Sequence, residues 1–411
     1  MRKINTRSFR VATRSTFREI NRTIVLNLIR EHQPISRAEL ARRMNVRRAA
    51  LTLIVRELLD SSEVIETGTA VAARGRRPML LRIRTSGRLA IAVDVRPTLT
   101  SLALADFGGT VLERDVFPTP ARPEDLVREL GVRVQKLLAV DATTMNGTCH
   151  GIGVVVPGMV DRRGGRVLYA PRLGWRDVDL RDALATHVGI PVFVESAPIA
   201  CALARLWTVT SDSRAVNNFA YVSVSDGVGV GIVVSGEVLR GEAHTAGEFG
   251  HVSLDPHGPL CACGKRGCWE AFACNSATSM RYIAEVSGGG AQGVRAGGRR
   301  GPLLAIEEIV RRAKRGERAA QVALAATGRE IGRGLAAVVC AINPKRIYVA
   351  GEVTAAWDLL EAPLRAALVE GTLTTAARET PVIPDRAPGE YRLLGAIALV
   401  AAPNYAAPRV G

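Results

Sequence analysis

No stretch of this 411-residue chain approaches the roughly 18 consecutive apolar residues that a membrane helix requires, although 47% of its residues are hydrophobic. A globular protein of two or three domains that does not span a bilayer is the expectation. The first twenty residues, MRKINTRSFRVATRSTFREI, are basic but have no apolar segment, so they do not form a secretory signal. A cytoplasmic location with reduced thiols follows. Acidic residues are scarce at one end only. Residues 1–88 carry seven Asp or Glu against twenty Arg or Lys, a net +13, whereas the remainder nets +3. An arginine excess set by genome composition would spread evenly. A basic block this localised implies a polyanionic partner at that end.

Residues 1–16 read as a basic arm. From Phe17 to Arg30, Ile20, Ile24, Val25 and Leu28 recur at helical spacing, and Pro34 stops the helix. Ser36 before Arg37-Ala38-Glu39 is a capping-box arrangement for a short second helix over 37–44, with Glu39 reaching back. Asn45-Val46 makes a tight turn. A third helix over 47–61 is expected to bury Ala50, Leu51, Ile54, Val55 and Leu58. Two short helices joined by a tight turn, the second with a basic start, form a helix-turn-helix. Residues 64–67 and 79–83 read as strands, with a wing between them tipped by Arg74, Arg76 and Arg77. The expected contacts to double-stranded operator DNA are Arg37, Arg47, Arg48 and Thr52 on the helices, and the three wing arginines, which reach phosphates or a minor groove.

Three of the seven cysteines fall within GEFGHVSLDPHGPLCACGKRGCWE, residues 247–270. Cys261 and Cys263 are too close to pair easily, and three clustered thiols leave one over, so a disulfide is the weaker reading. Thiolates at Cys261, Cys263 and Cys268 with the His251 imidazole, on a glycine-broken loop, suit a tetrahedral site for Zn2+. The same stretch resembles the signature of the ROK family (repressors, open reading frames and sugar kinases). The resemblance implies that this His and the three Cys bind zinc and that Glu248, His251 and Glu270 contact a sugar. The front of the chain, with Gly75-Arg76-Arg77-Pro78, is similar to the winged helix-turn-helix of ROK repressors.

After Arg88, strands over 89–94, 100–106 and from Val111, then a helix over 123–139, match the opening of the actin-like ATPase fold of sugar kinases. Two kinase features are missing. The ROK kinases follow their first strand with Asp-x-Gly-Gly-Thr, whose amides close on ATP phosphates. Here the run is Asp94-Val95-Arg96-Pro97-Thr98: Arg96 brings a bulky chain where Gly is needed, and Pro97 has no amide to donate. Where the family has Glu-Asn-Asp-Ala-Asn-Ala, this chain has Glu195-Ser196-Ala197-Pro198-Ile199-Ala200. Ala197 cannot take a proton from a sugar hydroxyl as the Asp does, and Ser196 is a shorter substitute for an Asn that helps hold the sugar. Gly151–Asp161 matches a family element at the sugar cleft. Residues 221–234 form two strands around a glycine-rich turn, either a hairpin or a second phosphate-side loop. Residues 287–301 form a low-complexity loop.

The expected fold class is α/β: a winged helix-turn-helix at 17–88 (all-α with a β-wing), then a two-lobed actin-like ATPase (ribonuclease H-like) domain. Lobe 1 takes 89–198 plus 388–411, and lobe 2 takes 199–387 with the zinc loop. The expected function is a DNA-binding transcriptional regulator, a repressor, without kinase activity. A sugar or phosphosugar effector would bind at Glu248, His251, Glu270 and Ser196. A homodimer or dimer of dimers would present two heads to a palindrome. A sugar kinase with an N-terminal extension and a regulator controlled by a protein partner are the alternatives.

Overall fold

The computed structural model describes residues 13–69, 78–144, 147–207, 216–288, 303–385 and 388–405. The arm up to residue 12, the wing tip with Arg74, Arg76 and Arg77, and most of the 287–301 loop lie outside the described residues.

Helix α1 (Arg14–His32) starts three residues before Phe17 because Thr13 and Thr16 cap each other: each side-chain oxygen accepts from the other's amide, at 3.4 and 3.2 Å. Strand β1 (Ile35–Ser36) leads into α2 (Arg37–Met44), where Ser36 accepts from Glu39 N at 3.2 Å. The other half of the expected box is replaced by ion pairs of Glu39 with Arg42 and Arg43, at 2.5 and 3.0 Å. Asn45, at φ 53°, turns the chain into α3 (Arg48–Asp60). Leu51, Ile54, Val55 and Leu58 are buried, but Ala50 is exposed, since it stands at the edge of that stripe beside Leu53. β2 (Val64–Thr69) and β3 (Met79–Ile83) pair antiparallel as the stem of the wing, and β1 adds to β3.

β4 (Arg88–Val95), β5 (Leu99–Asp106) and β6 (Val111–Pro118) form an antiparallel meander, and α4 (Pro123–Thr144) crosses to β7 (Thr148–Val156). β8 (Met159–Asp161), β9 (Arg166–Ala170) and β10 (Trp175–Val178) make a small sheet. After α5 (Leu180–Val188) come β11 (Val192–Ser196) and α6 (Ala197–Trp207). The first large sheet is ordered β6-β5-β4-β7-β11, with β7 parallel to both neighbours. A second sheet repeats the plan. Its meander is β12 (Phe219–Val224), β13 (Val228–Val234) and β14 (Glu237–Val238), its parallel pair β15 (Arg346–Ala350) and β16 (Val382–Asp385), and its order β14-β13-β12-β15-β16. Residues 221–234 are therefore a hairpin. The second sheet is covered by α7 (Trp269–Ala273), α8 (Asn275–Val286), α9 (Ile306–Lys314), α10 (Arg318–Ile342) and α11 (Trp357–Glu370), and α12 (Thr375–Arg378) precedes β16. This duplicated order is the two-lobed actin-like architecture.

The closing helix α13 (Pro388–Ala401) returns to the first sheet and packs on α6, which also touches β12 and β13. The approach is too close for a side chain at two positions. A Cβ on Gly153 of β7 would stand 1.9 Å from the Ala396 carbonyl oxygen, and one on Gly395 2.3 Å from that of Ala200. Replacing Gly153 with Ala is expected to destabilise the protein by roughly 1–3 kcal/mol, the usual cost of overpacking a filled core. The check is the midpoint of urea unfolding, and an unchanged midpoint would contradict the seating of α13 on β7.

Candidate functional site

Phe249–His251 is a single 3-10 turn from which the chain loops out to Cys268 at the foot of α7. Bridges from Ser253 to Cys268 and from Leu260 to Arg266 fold the loop on itself. Cys261 to Gly264 close as a tight turn, with Gly264 N on Cys261 O at 3.0 Å. Gly264 and Gly267 take φ of 90° and 68°, a region that strains any residue with a β-carbon. The three sulfurs and a His251 ring nitrogen thereby lie within 4.8 Å of one another. Cys261 Sγ is 3.7 Å from His251 Nδ1, and Cys263 Sγ is 3.7 Å from Cys268 Sγ. A tetrahedron with metal–sulfur bonds of about 2.3 Å has edges of roughly 3.7 Å, so these four side chains fit a four-coordinate ion. Cys261, Cys263 and Cys268 are not joined in disulfides.

A cleft runs from this loop to the first sheet, lined by Glu248, His251 and Glu270 on one wall and by Arg172, Ala197 and Pro198 on the other. His251 turns Nδ1 toward Cys261, while its Nε2 lies 4.0 Å from Glu248 Oε2. Burial, with Glu270 nearby, raises the Glu248 carboxyl to about 7. Glu270 is 6% exposed; Oε2 accepts from Val228 N at 3.0 Å and Oε1 faces Arg172 at 3.6 Å. Gly227 leaves room for it, since a Cβ there would stand 2.5 Å from Glu270 Oε2. Ser196 does not line the cleft: it is buried at the end of β11, its amide donating to Glu195 Oε1 at 3.0 Å. The strand runs straight into α6, so Ala197 and Pro198 face the opening instead.

The place of the glycine cradle after β4 is filled by ion pairs. Arg96 Nε donates to Asp94 Oδ2 at 2.9 Å and Nη1 to Glu352 Oε1, beyond β15, at 3.4 Å. Glu352 Oε2 accepts from Ser225 Oγ at 2.8 Å and Asn275 Nδ2 at 3.0 Å. Arg392 of α13 donates to Asp94 Oδ1 at 2.6 Å and to Val95 O at 3.1 Å. A second pair joins the sheets where Arg240 Nη2 meets the buried Glu195 at 3.1 Å. Sequence reasoning saw Arg96 only as an obstruction and missed Arg172, Glu352 and Arg392. Two signals were present: Arg392 is the single charge between Tyr391 and Ala401, and Glu352 follows Gly351 directly after the apolar run Ile347–Ala350.

On the head, Arg47, Arg48 and Thr52 are exposed at the first turns of α3. Arg47 is an N-cap without a side-chain cap, and no acid sits in the first turn, so no carboxylate opposes a phosphate at this helix N-terminus. Arg37 is instead braced on the wing stem, paired with Glu66 at 2.6 Å. The head meets the lobes at an aromatic joint. The Arg30 guanidinium lies over Trp207 and Tyr405, 4.8 and 5.3 Å from the ring centres, and Asn27 Nδ2 donates to Tyr405 O at 2.9 Å. Trp207 ends α6 and Tyr405 follows α13, so two helices connect the cleft to the head.

A basic helix-turn-helix carried on a two-lobed actin-like domain, its phosphate cradle filled by its own side chains, defines a class: DNA-binding transcriptional regulators. The ROK family pattern matches residues 90–402 and the MarR family pattern residues 20–63. The chain belongs to the ROK family. It is 29% identical over 393 residues to a putative xylose repressor of Caldicellulosiruptor sp. (strain Rt8B.4), covering 95% of this chain and 98% of that protein. It is 27% identical over 386 residues to the DNA-binding transcriptional dual regulator NagC of Escherichia coli (strain K12), covering 93% and 92%. A solved ROK family transcriptional regulator, a homolog of the E. coli MLC protein, superposes with a TM-score of 0.78 at 26% identity over 95% of this chain and 97% of its own. A ROK family glucokinase from Streptomyces griseus, solved with glucose and AMPPNP, gives 0.65 at 25% identity over 76% of this chain and 99% of its own.

Replacing Trp207 with Ala is expected to loosen the head, with roughly 0.5–2 kcal/mol lost from the cation–π stack alone. Scanning calorimetry should then show the head melting ahead of the lobes; an unshifted trace would contradict the joint.

Proposed function

We propose that this regulator is a cytoplasmic repressor whose operator affinity is set by a neutral sugar in the cleft, that it carries no kinase activity, and that a zinc ion holds the sugar-binding wall in position. The observation that carries this reading is the asymmetry of the cleft. The wall of Glu248, His251 and Glu270 offers carboxylate and imidazole groups suited to paired hydroxyls, while the phosphate end is occupied by Arg96 in contact with Asp94 and Glu352. Arg96, Arg172 and Arg392 each already face a carboxylate, which favours a neutral ligand over a phosphosugar. One relative is named a putative xylose repressor, so an aldose is the first ligand class to test.

The head is assigned to 17–88, lobe 1 to 89–198 plus 388–411, and lobe 2 to 199–387. The DNA contacts are assigned to Arg47, Arg48 and Thr52 with the wing residues Arg74, Arg76 and Arg77; Arg37 braces the wing stem through Glu66. The zinc ligands are His251, Cys261, Cys263 and Cys268. A bound zinc ion would fix the tautomer of His251, so that Nε2 faces the ligand in a defined direction. Glu248 and Glu270 hang from the same loop. A sugar that prefers one arrangement of the lobes shifts the population toward it, and α6 and α13 carry the change to heads paired in a homodimer or dimer of dimers.

The test is fluorescence anisotropy of the full chain on a palindromic duplex selected from a random pool, with and without each of a panel of aldoses. One aldose is expected to weaken binding by about tenfold or more, within the usual range of coupling between sites, with two or more chains per duplex. Deleting 1–88 should abolish binding, and Glu248→Ala should abolish the sugar effect alone. Operator affinity indifferent to every sugar would contradict the reading. Zinc has its own test: Cys263→Ser is expected to lose the metal by atomic absorption, lower the melting temperature and remove the sugar response, leaving weak DNA binding. A wild-type protein that is zinc-free, folded and responsive would contradict it.

A further inference from the structure

The outward face of α3 carries an unusual set of side chains for a helix that reads bases. Between Arg48 and Arg56 there is no Asn, Gln, Asp or Glu. Ala49, Thr52, Leu53 and Arg56 share one face at helical spacing, and all four are exposed. Leu53 is 57% exposed, while the opposite stripe of Leu51, Ile54, Val55 and Leu58 fills the head's core. Thr52 Oγ1 donates to Arg48 O at 3.2 Å. Its hydroxyl proton is therefore spent on its own helix, and what remains to offer is a methyl group and oxygen lone pairs. A lone exposed leucine needs no explanation. Three methyl-bearing residues in one patch, bounded by Arg47 and Arg48 at one end and by Arg56 at the other, within the 1–88 segment of net charge +13, do.

We infer that α3 reads thymines through their 5-methyl groups, using Leu53 with Ala49 and Thr52, between guanidinium contacts at either end; this rests on the assignment of α3 as the DNA-reading helix. A major groove displays one apolar group, the thymine methyl, and Ala and Thr methyls are among its usual partners. The span from Arg48 to Arg56 is about 12 Å along the helix, enough for three to four base pairs at about 3.4 Å each. Arg48 enters first and suits a guanine edge or a phosphate, and Arg56, 78% exposed and only loosely paired with Asp60 at 4.0 Å, suits a phosphate. The half-site is thus a short thymine run with its methyls facing the helix.

The experiment uses the full chain and a duplex selected from a random pool. Each thymidine of the selected duplex is replaced in turn by deoxyuridine, which pairs identically but lacks the methyl, and affinity is read by anisotropy. At one or more thymines the affinity should fall about fourfold, the equivalent of one buried methyl group. In Leu53→Ala the selected duplex should bind more weakly, and the uracil penalty at Leu53's thymine should vanish, as for two partners of one contact. Binding insensitive to uracil, or a penalty unchanged in Leu53→Ala, overturns the inference while leaving DNA binding intact. Failure to select any duplex, or equal binding after deletion of 1–88, sinks the inference together with the assignment beneath it.

Discussion

Asp94 is 3% exposed and lies between two arginines, and much of the effector domain's behaviour depends on how that charge is met. A buried carboxylate left unpaired costs about 3–5 kcal/mol when one partner is removed. In this chain both partners are side chains of the protein itself. Arg392 fixes Asp94 to the closing helix, and Arg96 reaches past it to Glu352 on the second sheet, whose other oxygen is held by Ser225 and Asn275. The guanidinium therefore ties the two lobes across the cleft. Arg96 makes the bridge, and with Pro97 it replaces both glycines of the expected turn.

From that bridge two helices lead to the head. Ala197 and Pro198, at the start of α6, line the cleft; Trp207, at its end, lies under Arg30 of the head. Arg392 lines the same cleft from α13, which leads to Tyr405 under the same guanidinium. The two helices approach closely at Gly395, where a Cβ would stand 2.3 Å from the Ala200 carbonyl oxygen, and α13 is seated as closely on β7 at Gly153. Both helices thus run from the cleft to the aromatic joint under Arg30.

Local chemistry made much of this legible in the sequence. Helix periodicity, Ser36 and Asn45 marked the helix-turn-helix because caps and turns are set by neighbours within a few residues. The cysteine and histidine spacing marked the loop for the same reason, and the lost glycine and aspartate marked the altered cleft. What stayed hidden depends on distant residues. Asn27 and Tyr405 meet across 378 positions, and Arg96 and Glu352 across 256; no periodicity reports such a pairing. Ala50 was misjudged because it borders the buried stripe, and Ser196 because strand β11 turns its residue inward where α6 begins.

Calorimetric titration of the full-length protein with magnesium AMPPNP, alone and with the aldose that most weakens operator binding, tests most directly whether the cleft takes a sugar but no nucleotide. The expected result is heat from the sugar and none from the nucleotide, whether or not the sugar is bound. Saturable nucleotide binding, or sugar phosphate formed when ATP replaces the analogue, would contradict it.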